Sequence, residues 1–311
     1  MMNLAEYRRT ASRLADYLPW AALVGSGVVL NKDGSFQRTA KFRGPDLDSA
    51  VAAELVAVAG RINNAVRRLG SGWSIFVEAQ RSEAATYPDS TFPDPASALV
   101  DAERKAGFEE ADAHFVSGYF LTFLWLPPAE EAARTEAWLY EGREKAGVDP
   151  WELLRGFIDR TDRVLALLDG FMPECRWMDD GATLTYLHST ISTNRHRVRV
   201  PEVPMHLDAL LADQPLTGGL EPRLGDAHLR VLTIVGFPTA TTPGLLDEMN
   251  RLPFPYRWNT RAILLDKTDA TRLLTRIRRQ WFAKRKSVAA ILKEVMTNEA
   301  SVLVDTDAAN K

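Results

Sequence analysis

Between Thr271 and Ser287 the chain sets seven basic side chains, Arg272, Arg276, Arg278, Arg279, Lys284, Arg285 and Lys286, and no acidic one. Guanidinium and ammonium groups at this density recognise anions: a carboxylate-rich protein surface, a phosphate backbone or an anionic lipid face. Trp281 and Phe282 lie inside the run, and large aromatics beside arginines are the usual composition of a binding hot spot. Three readings stand side by side: a solvated basic face, docking onto an acidic protein surface or neighbouring domain, and contact with nucleic acid or anionic lipid. A second basic cluster, Asn194-Arg-His-Arg-Val-Arg199, alternates Arg195, Arg197 and Arg199 and so reads as extended. It suits a phosphate or acidic-partner contact, or a solvated edge strand kept from aggregation by its charge.

Other chemistry is sparse. The chain has no Gly-Lys pair, so the phosphate loop Gly-x-x-x-x-Gly-Lys-Ser/Thr, with its backbone cradle and phosphate-reaching lysine, is missing. Ala262-Ile-Leu-Leu-Asp266 resembles a magnesium-holding strand end, but without that loop it reads as a buried strand running into an acidic turn. Gly25-Ser-Gly27 lacks the third glycine and the following helix of a dinucleotide site. The five histidines, at 114, 188, 196, 206 and 228, show no metal-ligand spacing. Asp179-Asp180 reads as a helix start, and Cys175, the only cysteine, as a buried structural residue. No catalytic, cofactor-binding or metal-binding residue is expected.

The basic groups need elements to carry them. Leu274, Ile277, Trp281, Val288, Leu292 and Val295 follow three- and four-residue steps, apart from one gap across Arg285, which predicts a long helix from Thr268 to Asn298 with a packed apolar face. Before it, Leu229–Gly236 predicts a strand, Pro243–Leu252 a helix and Tyr256–Asp266 a strand, giving a βαβα arrangement whose two strands are expected to pair in parallel. Earlier, Leu4 to Leu18 forms an amphipathic stripe, and Gly27–Leu30 and Ser35–Arg43 predict a hairpin around Asn31-Lys-Asp-Gly34. A helix capped by Asp48 follows, with Val51, Leu55, Val58, Ile62 and Leu69 on one face and Gly70 at its close. Trp73–Ala79 and Tyr119–Leu126 predict strands; Asp149-Pro-Trp-Glu152 predicts a capped helix with Trp151, Leu154, Ile158, Leu165 and Leu168 inward.

Three prolines in Tyr87-Pro-Asp-Ser-Thr-Phe-Pro-Asp-Pro95 mark a loop and then a charged helix, a surface insertion near 85–112. The breaks at Val200-Pro-Glu-Val-Pro204 and Gln214-Pro-Leu-Thr-Gly-Gly219, around one short helix, predict an N-terminal α+β domain over 1–200 and a βαβα subdomain over 201–311. The fold class expected is therefore α+β: hairpin-helix-strand units, then βαβα ending in a long basic helix, with no P-loop RecA-like domain.

With 311 residues, 46% of them hydrophobic, the chain is long enough for real cores. A net charge of −3 argues against a general nucleic-acid coat and confines anion binding to local patches. No secretory leader is recognised, and the uncharged stretch Tyr17–Asn31, broken by Pro19, Gly25 and Gly27, falls short of the roughly 20 apolar residues a membrane crossing takes.

Several blocks together look like one family: Leu18-Pro-Trp-Ala-Ala-Leu-Val24, Gly27-Val-Val-Leu-Asn-Lys-Asp-Gly-Ser-Phe36, Phe42-Arg-Gly-Pro-Asp46, Phe92-Pro-Asp-Pro95, Leu184-Thr-Tyr-Leu-His-Ser189, Gly218-Gly-Leu-Glu-Pro-Arg-Leu-Gly225 and Arg278-Arg-Gln-Trp-Phe-Ala-Lys-Arg-Lys-Ser287. On these the whole chain resembles the N-terminal and central region of TrbE-type conjugative transfer ATPases, the CagE/TrbE/VirB family. The resemblance implies hexamer-forming ATPases at the cytoplasmic face of type IV secretion channels, driving pilus assembly and DNA or protein transfer. It places the nucleotide site in a C-terminal RecA-like domain, so no catalytic residue carries over, and ATP and magnesium are implied only for the full-length family. The implied role is docking and assembly, cytoplasmic and peripheral to the inner membrane, with inner-membrane channel components, neighbouring subunits or the ATPase half as partners. Two alternatives remain: a motor component active only with a C-terminal RecA-like half, and a nucleic-acid-binding protein using Arg195–Arg199 and Arg272–Lys286.

Overall fold

The computed structural model describes residues 13–46, 49–84, 87–110, 114–128, 149–234, 236, 239–241 and 245–285, without the side chains of 247 and 282–285. The expected cap Asp48, most of the Leu4–Leu18 stripe and the helix beyond 285 lie outside these residues. After a short helix α1 (Leu14–Tyr17), strands β1 (Trp20–Gly25), β2 (Val28–Asn31) and β3 (Phe36–Arg43) form an antiparallel meander. The first turn needs Gly27: its φ is +65°, and a Cβ there would lie 2.1 Å from the Met178 carbonyl oxygen. The second is closed by side chains, with Asn31 Nδ2 donating to Ser35 Oγ at 2.9 Å and Ser35 N–H donating to Asp33 Oδ1 at 3.0 Å.

Helix α2 (Ala52–Val66), strand β4 (Trp73–Glu83), helix α3 (Pro95–Glu110) and strand β5 (Phe115–Trp125) follow. Helix α4 (Pro150–Asp169) starts as its sequence predicts, with the Asp149 carboxylate accepting from Trp151 N–H at 3.0 Å. Strand β6 (Glu174–Trp177), helix α5 (Asp180–Ile191) and the short helix α6 (Leu207–Leu211) come next. A small sheet of β7 (Leu216–Thr217), β8 (Arg223–Leu224) and β9 (Ala227–His228) precedes strand β10 (Tyr256–Ile263) and helix α7 (Lys267–Arg285).

The large sheet runs β1-β2-β3-β5-β4-β10, every pair antiparallel, and β6 also pairs with β3. Strand alternation gives it two unlike faces. One carries Phe36, Trp73, Ile75, Leu121, Phe123 and Trp125 against α4, where Phe157 is fully buried and stacks on Phe36 and Trp73 at 5.7 and 5.6 Å between ring centres. The other carries Val29, Thr39, Phe120, Thr122 and Glu78 under α5 and α6, whose Leu184, Leu187, Leu207 and Leu211 are buried. Thr39 and Thr122 Oγ1 atoms meet across the strands at 2.9 Å.

The structure is α+β, as expected, and corrects several details. The predicted parallel pair is not formed. Residues 229–234 have no ladder, with Val231 and Leu232 exposed, and the predicted helix over 243–252 is, among the described residues, a 3₁₀ turn at Asp247–Arg251. β10 instead pairs antiparallel with β4, from Tyr256↔Arg81 to Ile263↔Ser74. Periodicity identifies a strand but not its neighbour, and the long edge of β4 offers an eight-residue ladder that a short Leu229–Ile234 run does not. β1 lies inside the uncharged stretch 17–31, whose composition says only that it is too short for a membrane span. Of the stripe predicted for α2, Leu69 just past its end is buried in the core, Leu55 and Val58 are half-buried and Val51 and Ile62 are exposed; Trp151 of α4 is exposed as well. α3 buries none of its residues.

Phe157 has aromatic rings from three strands around it. Phe157→Ala is expected to lower unfolding stability by about 3–5 kcal/mol, read from the midpoint of guanidinium denaturation with its slope unchanged.

Candidate functional site

Helix α7 begins where β10 ends. Ser71, in the turn before β4, holds its first turn: Ser71 Oγ donates to Asp269 Oδ2 and accepts from Asp266 N–H at 3.0 Å. From there the helix does not pack as its periodicity predicts. Leu274, Ile277 and Trp281 are 65%, 39% and 64% exposed, so the apolar positions form an open stripe among the arginines. Arg272 pairs with Asp269 of its own helix at 3.1 Å, a one-turn surface pair of small energetic weight. Arg276, Arg278 and Arg279 lie on the same described stretch. Lys284 and Arg285 belong to the helix without described side chains, and Lys286 lies outside the described residues.

The second basic cluster is elsewhere, and it is not an edge strand. Residues 194–200 run beside α5, outside helix and strand, without joining either sheet. Polar clasps from the loop after α6 and from α5 fix the segment: Asn194 Nδ2 donates to Asp213 Oδ2 at 2.8 Å, Thr193 N–H to Gln214 Oε1 at 2.9 Å, and Val198 N–H to Thr185 Oγ1 at 3.0 Å. Arg199 meets Glu202 at 3.5 Å with both side chains open to solvent. Arg195 reaches the Ser189 carbonyl at the end of α5, at 3.3 Å. Between α5, this segment and the polar face of the sheet lies a cavity of about 450 Å³, walled by Phe120, Met178 and Tyr186 and rimmed by Arg195, His196 and Arg197.

Beneath it lies a cluster that no motif marks. Glu78, 6% exposed in the middle of β4, forms an ion pair with Arg257 of β10, and Arg257 Nη1 also donates to the Ser189 carbonyl. Tyr186 OH donates to Glu78 Oε2 at 3.2 Å. Burial first, and then the Glu78 charge, drives the Tyr186 phenol pKa upward, so it stays a donor. Burial likewise pulls the Arg195 guanidinium pKa down, with the like charge of Arg257 adding to it and Glu78 opposing. A carboxylate inside the otherwise uncharged run Trp73-Ser-Ile-Phe-Val-Glu-Ala79 is the signal that could have found this cluster, since a charge in a buried strand needs a partner. Asp179 caps α5 by accepting from Ala182 N–H at 2.7 Å, and Asp180 accepts from Gly27 N–H at 2.6 Å, so this acid pair is structural. Cys175 is buried, and desolvation, with Asp169 nearby, pushes its thiol up to about 11, away from nucleophilic use. Among the described residues no helix is long and apolar enough to cross a membrane.

The residues 27–133 match the family model described as the type IV secretion system ATPase VirB4/TrbE, N-terminal domain. That interval covers β2 to β5, the strands that build both faces of the sheet. A conjugal transfer protein TrbE of Rhizobium radiobacter is 33% identical over 301 residues, 91% of this chain and 37% of its own length. In Sinorhizobium fredii a probable conjugal transfer protein TrbE is divided between two polypeptides, and both are similar to this chain. The first is 41% identical over 140 residues, 44% of this chain and 93% of the relative. The second is 36% identical over 101 residues, 32% of this chain and 15% of the relative. The chain belongs to the VirB4/TrbE family of type IV secretion ATPases, corresponding to a TrbE-type N-terminal region. It spans little more than a third of the length of the Rhizobium relative.

Arg257→Met leaves the Glu78 carboxylate buried without its counter-charge and is expected to cost about 3 kcal/mol of stability, with the double variant Glu78→Gln/Arg257→Met recovering some of it in urea denaturation. At Asp213, burial raises the carboxyl pKa, but hydrogen bonds from Asn194 and Ser192 and the approach of His188 outweigh it, and the net direction is down. A depressed folded-state pKa stabilises at pH above the ordinary carboxylate range, and that stability is lost as pH falls through the folded value. Asp213→Asn is therefore expected to flatten the acid limb of thermal stability measured between about pH 6 and pH 2.

Proposed function

We propose that this chain is the non-catalytic docking and assembly region of a conjugative type IV secretion ATPase, supporting DNA transfer and pilus biogenesis. Family membership supplies the system; the exposed stripe of Leu274, Ile277 and Trp281 among the arginines of α7 carries the docking role. An apolar stripe left open on one side of a basic helix gains by covering itself, and the flanking charge selects an acidic protein surface as its cover. The occupant proposed is an acidic face on another component of the transfer apparatus at the inner membrane. That contact brings the region to the membrane through its partners. Contact with nucleic acid is the weaker reading, because a neutral-to-acidic chain with its basic groups mixed among exposed Leu, Ile and Trp suits a protein surface better than a phosphate backbone.

Replacing Arg278, Arg279, Lys284 and Arg285 together by glutamate is expected to leave circular dichroism unchanged. The same variant should lose inner-membrane channel components when the tagged chain is purified from cells expressing the rest of the transfer apparatus. Recovery of the same components by wild type and variant removes the proposal.

A further inference from the structure

We infer a second binding site, separate from α7: the cavity beside α5 takes an extended acidic peptide, one of whose large apolar side chains enters the cavity while a neighbouring carboxylate meets Arg195 and Arg197. Three independent observations converge on that occupant.

The cavity, at about 450 Å³, lies within the range of roughly 300–1,000 Å³ typical of small-ligand pockets, and Phe120, Met178 and Tyr186 give it apolar walls. That is room for one large side chain and the backbone on either side of it. Its rim is of one sign. No aspartate or glutamate is among the described residues that line it; Glu78 beneath it is paired with Arg257, and Asp213 behind it is engaged by Asn194 and His188. Arg195 therefore shares a single negative charge with Arg257, and no carboxylate pairs with Arg197 among the described residues. Arg197, exposed on the rim and without a carboxylate partner among the described residues, and Arg195 beside it favour a ligand that brings its own carboxylate.

The third observation is the backbone. Among the described residues, Arg195, His196 and Arg197 make no main-chain hydrogen bond, although both ends of the segment are clasped, at Asn194 and at Val198. An exposed segment outside helix and sheet, clasped at its ends with no main-chain bond between among the described residues, can pair with a partner strand, and alternate side chains of that strand would face the cavity. Backbone pairing supplies affinity that any peptide could use; the cavity and the arginines supply the choice of sequence. A mononucleotide or simple anion would use the arginines and leave the free backbone unpaired, so a peptide accounts for more of the surface.

Panning a random phage-displayed peptide library over the immobilised full chain tests this. The expected result is enrichment of peptides with an aromatic or leucine side chain adjacent to Asp or Glu. Anisotropy of the best labelled peptide should weaken by about tenfold or more in Arg195→Glu/Arg197→Glu and fall with added salt. Ala182→Trp, which fills the cavity without changing its charge, should weaken the same peptide while Arg278→Glu/Arg279→Glu on α7 leaves it unchanged. That last control separates failure of this site from failure of the helix. Both cavity variants alter solvent-facing or partly exposed positions, so wild-type circular dichroism is the expected companion result. No enrichment, enrichment retained by Arg195→Glu/Arg197→Glu, or binding of single-stranded oligothymidine in place of acidic peptide would each overturn the proposal.

Discussion

A buried carboxylate has to be matched, and in this protein the matching of Glu78 ties together segments of the chain far apart in sequence. Glu78 stands on the polar face of β4, where α5 shuts out water, and an unpaired charge there would be prohibitive. Arg257 comes from β10, far along the chain; Tyr186 comes from α5; Arg257 and Arg195 both reach the Ser189 carbonyl. The pair thus fixes where β10 lies along β4, where α5 ends, and how the arginine segment leaves it. The aromatic face against α4 holds the sheet together, but this polar face determines how the functional surfaces are arranged on it.

The two faces divide the labour. Phe36, Trp73, Phe123, Trp125 and Phe157 pack as an aromatic layer, and the one buried charge beside it, Arg38 of β3, is matched by Asp162 of α4 at 2.7 Å. The opposite face trades packing for polar groups, and a cavity remains where α5 and the segment 194–200 diverge. The proposed peptide site therefore lies on the side of the sheet that is less completely filled. The helix α7 extends the same logic to the sheet's edge, because it is held through its first turn by Ser71 and leaves Leu274, Ile277 and Trp281 uncovered.

Much of this is legible in the residues. The Asn31-Lys-Asp-Gly34 turn, the Asp149 cap, the Asp179 helix start and the buried Cys175 follow from local chemistry, and the structure bears them out because each is decided within a few residues. The alternation of Arg195, Arg197 and Arg199 predicts an extended segment but is silent on its lack of a sheet partner. Pairing partners are the illegible portion. Nothing local in Tyr256–Ile263 says that its neighbour is β4 and not Leu229–Gly236, since β10 and β4 share only backbone chemistry and one long-range ion pair. Periodicity makes the stripe on α7 apolar, which is right, and packed, which is wrong, because it reports which residues share a face and is silent on what covers them.

The join between β10 and α7 has a mechanical side. Only residues 264–266 separate the end of the strand from the start of the helix, and β10 is bonded to β4 along all eight of its residues. Antiparallel hydrogen bonds lie across the strand direction. A pull on α7 directed along β10 therefore loads the whole ladder at once in shear, whereas a pull across the sheet would peel it one bond at a time. The helix and the sheet behave under the first kind of load as one rigid lever on a firm root, and under the second as a zip.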